Sequence, residues 1–312
     1  MNKSIKFSFL LILAMSLAIS AFAQNNPKKN EEFGKIVKLT QTKKPAEQDK
    51  AYKMAKDFLA QYGKEENDEQ VKKIKDFVDK YTLATFNKRL DELKIAEAFA
   101  LGREILAQEP DNTYVVINMA FGGLDLFQKK KDASFGADAT NYAKQALSMM
   151  EAGKMPKSFE PLKDQAEATA VMHYIIGSFA LDKDPQEAAR NFYKALQYES
   201  SIKNSSFPYY ALAVNYEKAY ENLAKSYQAK VVNKAPESEL LADQEKLEKL
   251  IDRMLDSYAR ALKFAATDND TVKDAWMQRF TQIYTHKNQS NKGLNEYLNS
   301  VWNTPLPDPS KI

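Results

Sequence analysis

The chain has 312 residues, of which 44% are hydrophobic and 28% charged, enough to bury a sizeable core in one elongated array or two small domains. Basic residues outnumber acidic ones by three, and by one once Lys3 and Lys6 are set aside with the leader, so nothing draws the chain to nucleic acid or an anionic membrane. Cysteine is absent, which excludes disulfides, thiolate nucleophiles and cysteine-held metals, and the scarcity of Gly (9) and Pro (11) favours helix.

Met1–Ala23 carries Lys3 and Lys6, then the apolar stretch Phe7–Ile19, then Ala21-Phe22-Ala23. This order is that of a secretory signal peptide cut after Ala23. The apolar stretch is short of the roughly 20 residues that span a bilayer, so the expectation is a periplasmic or secreted protein with no stable membrane anchor after cleavage. Residues 24–45 are polar and Lys-rich, and are expected to form a flexible leader, with a short docking helix as the alternative.

Residues 46–303 are expected to form one array of helices. Pro45 suits a first helical position, with Tyr52, Ala55, Phe58 and Tyr62 on one face and Gly63 at the end. Asn67 or Asp68 can cap a second helix through Val71, Ile74, Phe77, Val78 and Tyr81. A third runs from Leu90 and Leu93 to Leu106 and stops at Glu109-Pro110. Thr113–Phe127 is apolar enough to be buried on most sides. The basic loop 128–136 reads as solvated, because three lysines without aromatics or arginines make no recognition patch. Helices follow over Asp138–Met150, Leu162–Leu181, from Asp184-Pro185 through Leu196, from Pro208 through Tyr227, over Leu240–Phe264, from Asp268 or Asp270 through Tyr284, and over Leu294–Trp302. Gly153, Pro156 and Pro161 break the chain between two of them. Residues 304–312 hold three prolines and are expected to be an extended tail.

Four helices share one spacing: Ala98-x3-Gly102-x2-Ile105-Leu106, Ala139-x3-Ala143-x2-Ala146-Leu147, Ala188-x3-Phe192-x2-Ala195-Leu196 and Met254-x3-Tyr258-x2-Ala261-Leu262. The spacing puts these residues on one stripe, where small side chains let a neighbouring helix come close. The pattern, with Pro110-Asp111-Asn112 after the first copy, resembles the second helix of the tetratricopeptide repeat. Tyr209, Leu212-Ala213 and Tyr216 resemble its first helix, as do His173, Ile176-Gly177 and Ala180, and more loosely Val116, Met119-Ala120 and Gly123. The copies lie 41, 49 and 66 residues apart, against a period of about 34 in that family. The fold the resemblance implies is all-α: an irregular α-solenoid of antiparallel helix hairpins, about a dozen helices in all.

Catalytic constellations are missing from the pattern. His173 falls at a packing position and His286 at a helix end, neither in a zinc spacing. Gly122-Gly123 lies within a helix rather than a phosphate loop. No enzyme activity, metal or cofactor is expected. The resemblance implies instead that first helices line a concave face that takes a partner protein or peptide. Carried over, that face is Tyr114, Ile117 and Phe121, then Val171, Tyr174 and Ser178, then Tyr210 and Val214; the alternative is that these side chains are internal core. The expected role is thus an exported scaffold for a protein partner. Other readings are an envelope hydrolase or sugar-binding accessory protein, which would need His173 in an open pocket beside a carboxylate, and an outer-membrane assembly factor.

Overall fold

The computed structural model describes residues 26–42, 44–265 and 270–311, without the side chains of 270 and 271. The leader Met1–Ala23 lies outside the described residues. Among them the protein is all-α, with twelve α-helices and no strand. The chain divides into two compact units, one ending at Pro110 and one beginning at Asp111. The boundary falls in the Pro110-Asp111-Asn112 turn, within what had been expected to be one array.

The first unit holds α1 (Pro27–Thr40), α2 (Pro45–Tyr62), α3 (Glu69–Asp91) and α4 (Ile95–Gln108). Helix α1 replaces most of the expected flexible leader. Asn26 caps it by accepting from the Lys29 amide, Pro27 occupies its first turn, and Ile36 and Val37 are buried. Phe33, Ile36 and Leu39 are enough because they fall on one face. That face meets Ala51, Ala55 and Phe58 of α2 and Val71, Ile74 and Phe77 of α3 in one core. Lys29, 4% exposed, fastens α1 to the α2–α3 turn through Glu65 (2.6 Å) and Asp68 (2.8 Å). Asp68 also caps α3, accepting from the amides of Gln70 and Val71. The apolar run from Leu90 to Leu106 proves to be two helices. Leu93 takes a positive φ of 56° and ends α3, so Leu90 belongs to α3.

The second unit holds α5 (Thr113–Lys130), α6 (Gly136–Glu151), α7 (Gln165–Ala180), α8 (Pro185–Ala195), α9 (Ser206–Val232), α10 (Glu237–Phe264), α11 (Asp270–Asn288) and α12 (Leu294–Ser300). Its helices pack chiefly as α5 on α6, α7 on α8 and α9 on α10. Each pair joins the next through α6 on α7 and α8 on α9, and α5 also touches α7. Asp164 and Asp184 cap α7 and α8. The repeated small-residue stripes lie in these contacts: Ala139, Ala143 and Ala146 of α6, and Ala188, Phe192 and Ala195 of α8, are all 0% exposed. A Cβ on Gly123 would stand 2.6 Å from the Ala139 Cβ, so α5 and α6 touch along their backbones. The 152–164 connection is tied back to α5: Thr113 Oγ1 donates to the Lys154 carbonyl (2.7 Å) and Asn118 Nδ2 to the Glu160 carbonyl (3.1 Å).

Candidate partner-binding site

The N-terminal half of α9 has more apolar side chains than its neighbours can cover. Tyr209, Leu212 and Tyr216 face inward, each 3% exposed or less. Phe207 and Val214, by contrast, are each 38% exposed. They border a cavity of ≈ 190 Å³ with Leu181 and Pro185 from the α7–α8 turn and Tyr210 and Ala211 from α9. Asp182, Asn215 and Lys218 supply its polar part. Asn215 is oriented by donating to the Pro185 carbonyl at 2.7 Å, which also joins the two walls.

The walls are held by aromatic contacts. The Phe207 ring stands edge-on to Phe192 (5.9 Å) and Tyr174 (6.1 Å). Tyr210 stacks on Trp276 of α11 at 4.5 Å and meets Tyr258 of α10 at 6.2 Å. Glu217 locks that second layer by accepting from Tyr258 (3.1 Å) and Arg279 (2.7 Å). The arrangement is a preformed apolar notch with an amide, an ammonium and a carboxylate around it, suited to one apolar side chain of a partner.

Of the eight residues expected on a concave face, two line this cavity: Tyr210 and Val214. Ile117 is 0% exposed, Val171 4% and Tyr174 8%, so these three are core, and Tyr174 backs Phe207 from within. Tyr114, Phe121 and Ser178 are half-buried and do not line the notch. Phe207, Leu181 and Pro185 were not expected. A signal for Phe207 was present, because Phe207, Tyr210, Val214 and Lys218 follow one another at helical spacing.

His173 is buried on α7, and its Nδ1 meets an amide rather than a carboxylate. Asn191 Nδ2 donates to the Glu187 carbonyl, so Asn191 Oδ1 is left to accept from His173 Nδ1–H at 2.9 Å. Burial, more than any neighbouring charge, pushes the imidazole below its ordinary pKa. Among the described residues no three His, Asp or Glu side chains gather as a metal ion would require. Lys129, first of the lysine run, pairs with Asp125 one turn back at 2.7 Å. No family model, no curated protein and no solved structure matches this chain.

Proposed function

We propose that this is an exported, non-catalytic interaction protein whose helical hairpins form a tetratricopeptide-repeat-like array, and that it binds a partner protein through the α7–α9 notch. The observation that carries the reading is the coincidence of Phe207 and Val214, both open to solvent, with a preformed apolar cavity. Large apolar residues exposed together around a concavity mark a recognition surface rather than unfinished core. The pairing of successive hairpins and the fully buried small-residue stripes support the array reading. Export rests on the leader sequence alone; amino-terminal sequencing of the mature protein should begin at Gln24.

The test is photo-crosslinking in cells with an unnatural photoreactive residue at position 214, and at 232 as control. Val232 is 79% exposed at the far end of the same helix. A discrete adduct from 214, absent from 232 and lost when Tyr210→Asp is added to a folded chain, is expected. Equal adducts from both positions would refute the assignment of the site.

A further inference from the structure

After α12 the chain makes a 3-10 turn at Val301–Asn303 and continues as Thr304-Pro305-Leu306-Pro307-Asp308-Pro309-Ser310-Lys311, irregular as far as Asp308 and then, rather than staying extended as expected, closing a turn in which the Lys311 amide donates to the Asp308 carbonyl (3.2 Å). Three of these eight residues are prolines, which have no backbone N–H, so the segment presents acceptors in excess of donors. Helix α10 presents the matching donors. Arg260 Nη2 donates to the carbonyls of Val301 (2.8 Å) and Thr304 (2.9 Å), and Arg253 Nη2 reaches the Lys311 carbonyl at 3.4 Å. The two arginines are seven residues apart, two turns on one stripe of the helix.

The Arg260 end is built in advance of any occupant. Its guanidinium is 5% exposed, gripped at both nitrogens by Asp256 (2.7 and 3.1 Å) and stacked 5.2 Å from the Trp302 ring. Trp302 is in turn set edge-on against Phe264 (5.1 Å) and Tyr209 (6.1 Å). Beyond this anchor the segment is held more lightly. Leu306, Pro307, Asp308 and Pro309 are half-buried, while Ser310 and Lys311 are exposed. One buried donor nearby is left over. Tyr216 of α9 is 3% exposed and its hydroxyl has no hydrogen-bond partner among the described residues.

We propose that this groove is a binding site for proline-rich segments that end in a carboxylate-capped turn, and that residues 304–311 are its resident occupant, displaced when a partner's segment of that chemistry enters. It is a different surface from the α7–α9 notch and does not depend on it. The arginine pair takes backbone carbonyls, and the carboxylate closes a turn as Asp308 now does, accepting from the Ser310 amide and hydroxyl (both 2.8 Å). Prolines restrict the entering chain beforehand, so little freedom is lost on binding. A tethered occupant competes at an effective concentration on the order of millimolar. An incoming segment must therefore bind better than the resident one, and a bond to the Tyr216 hydroxyl is a means of doing so.

The probe is a fluorescein-labelled peptide of residues 304–312, TPLPDPSKI, followed by anisotropy. A chain ending at Asn303 should bind it at least ten-fold more tightly than the full chain. Arg253→Gln in the shortened chain should weaken binding several-fold, and a peptide with alanine at all three proline positions should bind worse than the parent. A shortened chain with unchanged circular dichroism that binds no better than the full chain overturns the proposal. The full chain gives an independent reading if shortening unfolds it. With no native cysteine, Leu306→Cys gives a single thiol, which should react faster with a maleimide when excess unlabelled peptide is present. An unchanged labelling rate at saturating peptide also overturns the proposal.

Discussion

Adding one methyl group at two glycines should give opposite signs, and the size of each follows from the space around them. In a helix interior, glycine to alanine stabilises by about 0.8–1 kcal/mol through backbone entropy. Gly34 of α1 has nothing within 4 Å of where a Cβ would stand, so Gly34→Ala should realise most of that gain. At Gly123 of α5 the same Cβ would lie 2.6 Å from the Ala139 Cβ. Carbon pairs are most stable at about 3.5–4.0 Å, so α5 and α6 must part by about 1 Å. Overpacking of that kind costs about 1–3 kcal/mol, and the propensity gain offsets only part of it. Gly123→Ala should therefore destabilise by up to about 2 kcal/mol, or several degrees in melting temperature for a unit of this size. Swapping the methyl across the interface, Gly123→Ala with Ala139→Gly, should return stability to within about 0.5 kcal/mol of the parent, because clash and propensity terms both cancel. Urea denaturation followed by far-UV circular dichroism measures all four proteins. Stabilisation by Gly123→Ala alone would refute the close approach of α5 and α6.

Burial depresses the His173 pKa below 6.5, so the unfolded chain takes up that proton first; its contribution to stability is present above pH 6.5 and lost as pH falls below it. The melting temperature should drop more between pH 7 and 5 for the parent than for His173→Leu, and equal drops would contradict the buried placement. At Asp68, burial works to raise the pKa, but the Lys29 hydrogen bond and the Val71 and Gln70 amides outweigh it and hold the carboxyl below 3.8. That stability is present above pH 3.8 and lost on acidification below it. At neutral pH Asp68→Ala, which also removes a cap, should cost about 0.5–2 kcal/mol more than Asp68→Asn in chemical denaturation. Phe192→Ala, at a ring 0% exposed between Tyr174, Phe207 and Gly177, should cost about 3–5 kcal/mol in the same assay.

The helices of the second unit were readable from spacing because their apolar stripes and caps act locally. Asp184-Pro185 opens α8 as expected, and Gly123 packs against α6 rather than turning a loop. What misled lay where local signals were weak or competed. In α1, Ile36 and Val37 sit among lysines and glutamates, and their burial depends on α2 and α3, which a local window cannot supply. Between α3 and α4 no glycine or proline marks the break; Leu93 takes the left-handed turn itself. The site was half legible for a similar reason. Tyr210 and Val214 lie on α9, which the repeat pattern locates, whereas Leu181 and Pro185 come from a turn whose position depends on how α8 docks.

Helices α5 and α9 show why apolar composition alone could not have chosen the site. The resemblance makes both of them first helices, and on that ground both contribute residues to the expected binding face. In α5 the candidates go largely to packing: Val115 through Ala120 are buried without interruption, with Tyr114 and Phe121 half-buried at either end, covered in part by α6, α7 and the connection tied to Thr113 and Asn118. In α9 the supply exceeds the cover. Tyr209 and Tyr216 are taken up inside, Tyr210 by Trp276, and Phe207 and Val214 remain open beside a cavity already shaped by the turn opposite. Exposed apolar surface of this size carries a hydration cost of about 25 cal/mol for every Å², which the folded chain alone does not recover but a partner side chain would. The difference between the helices is thus one of neighbours. Where the fold leaves an apolar stripe without enough of them, as at Phe207 and Val214, apolar surface stays open to solvent.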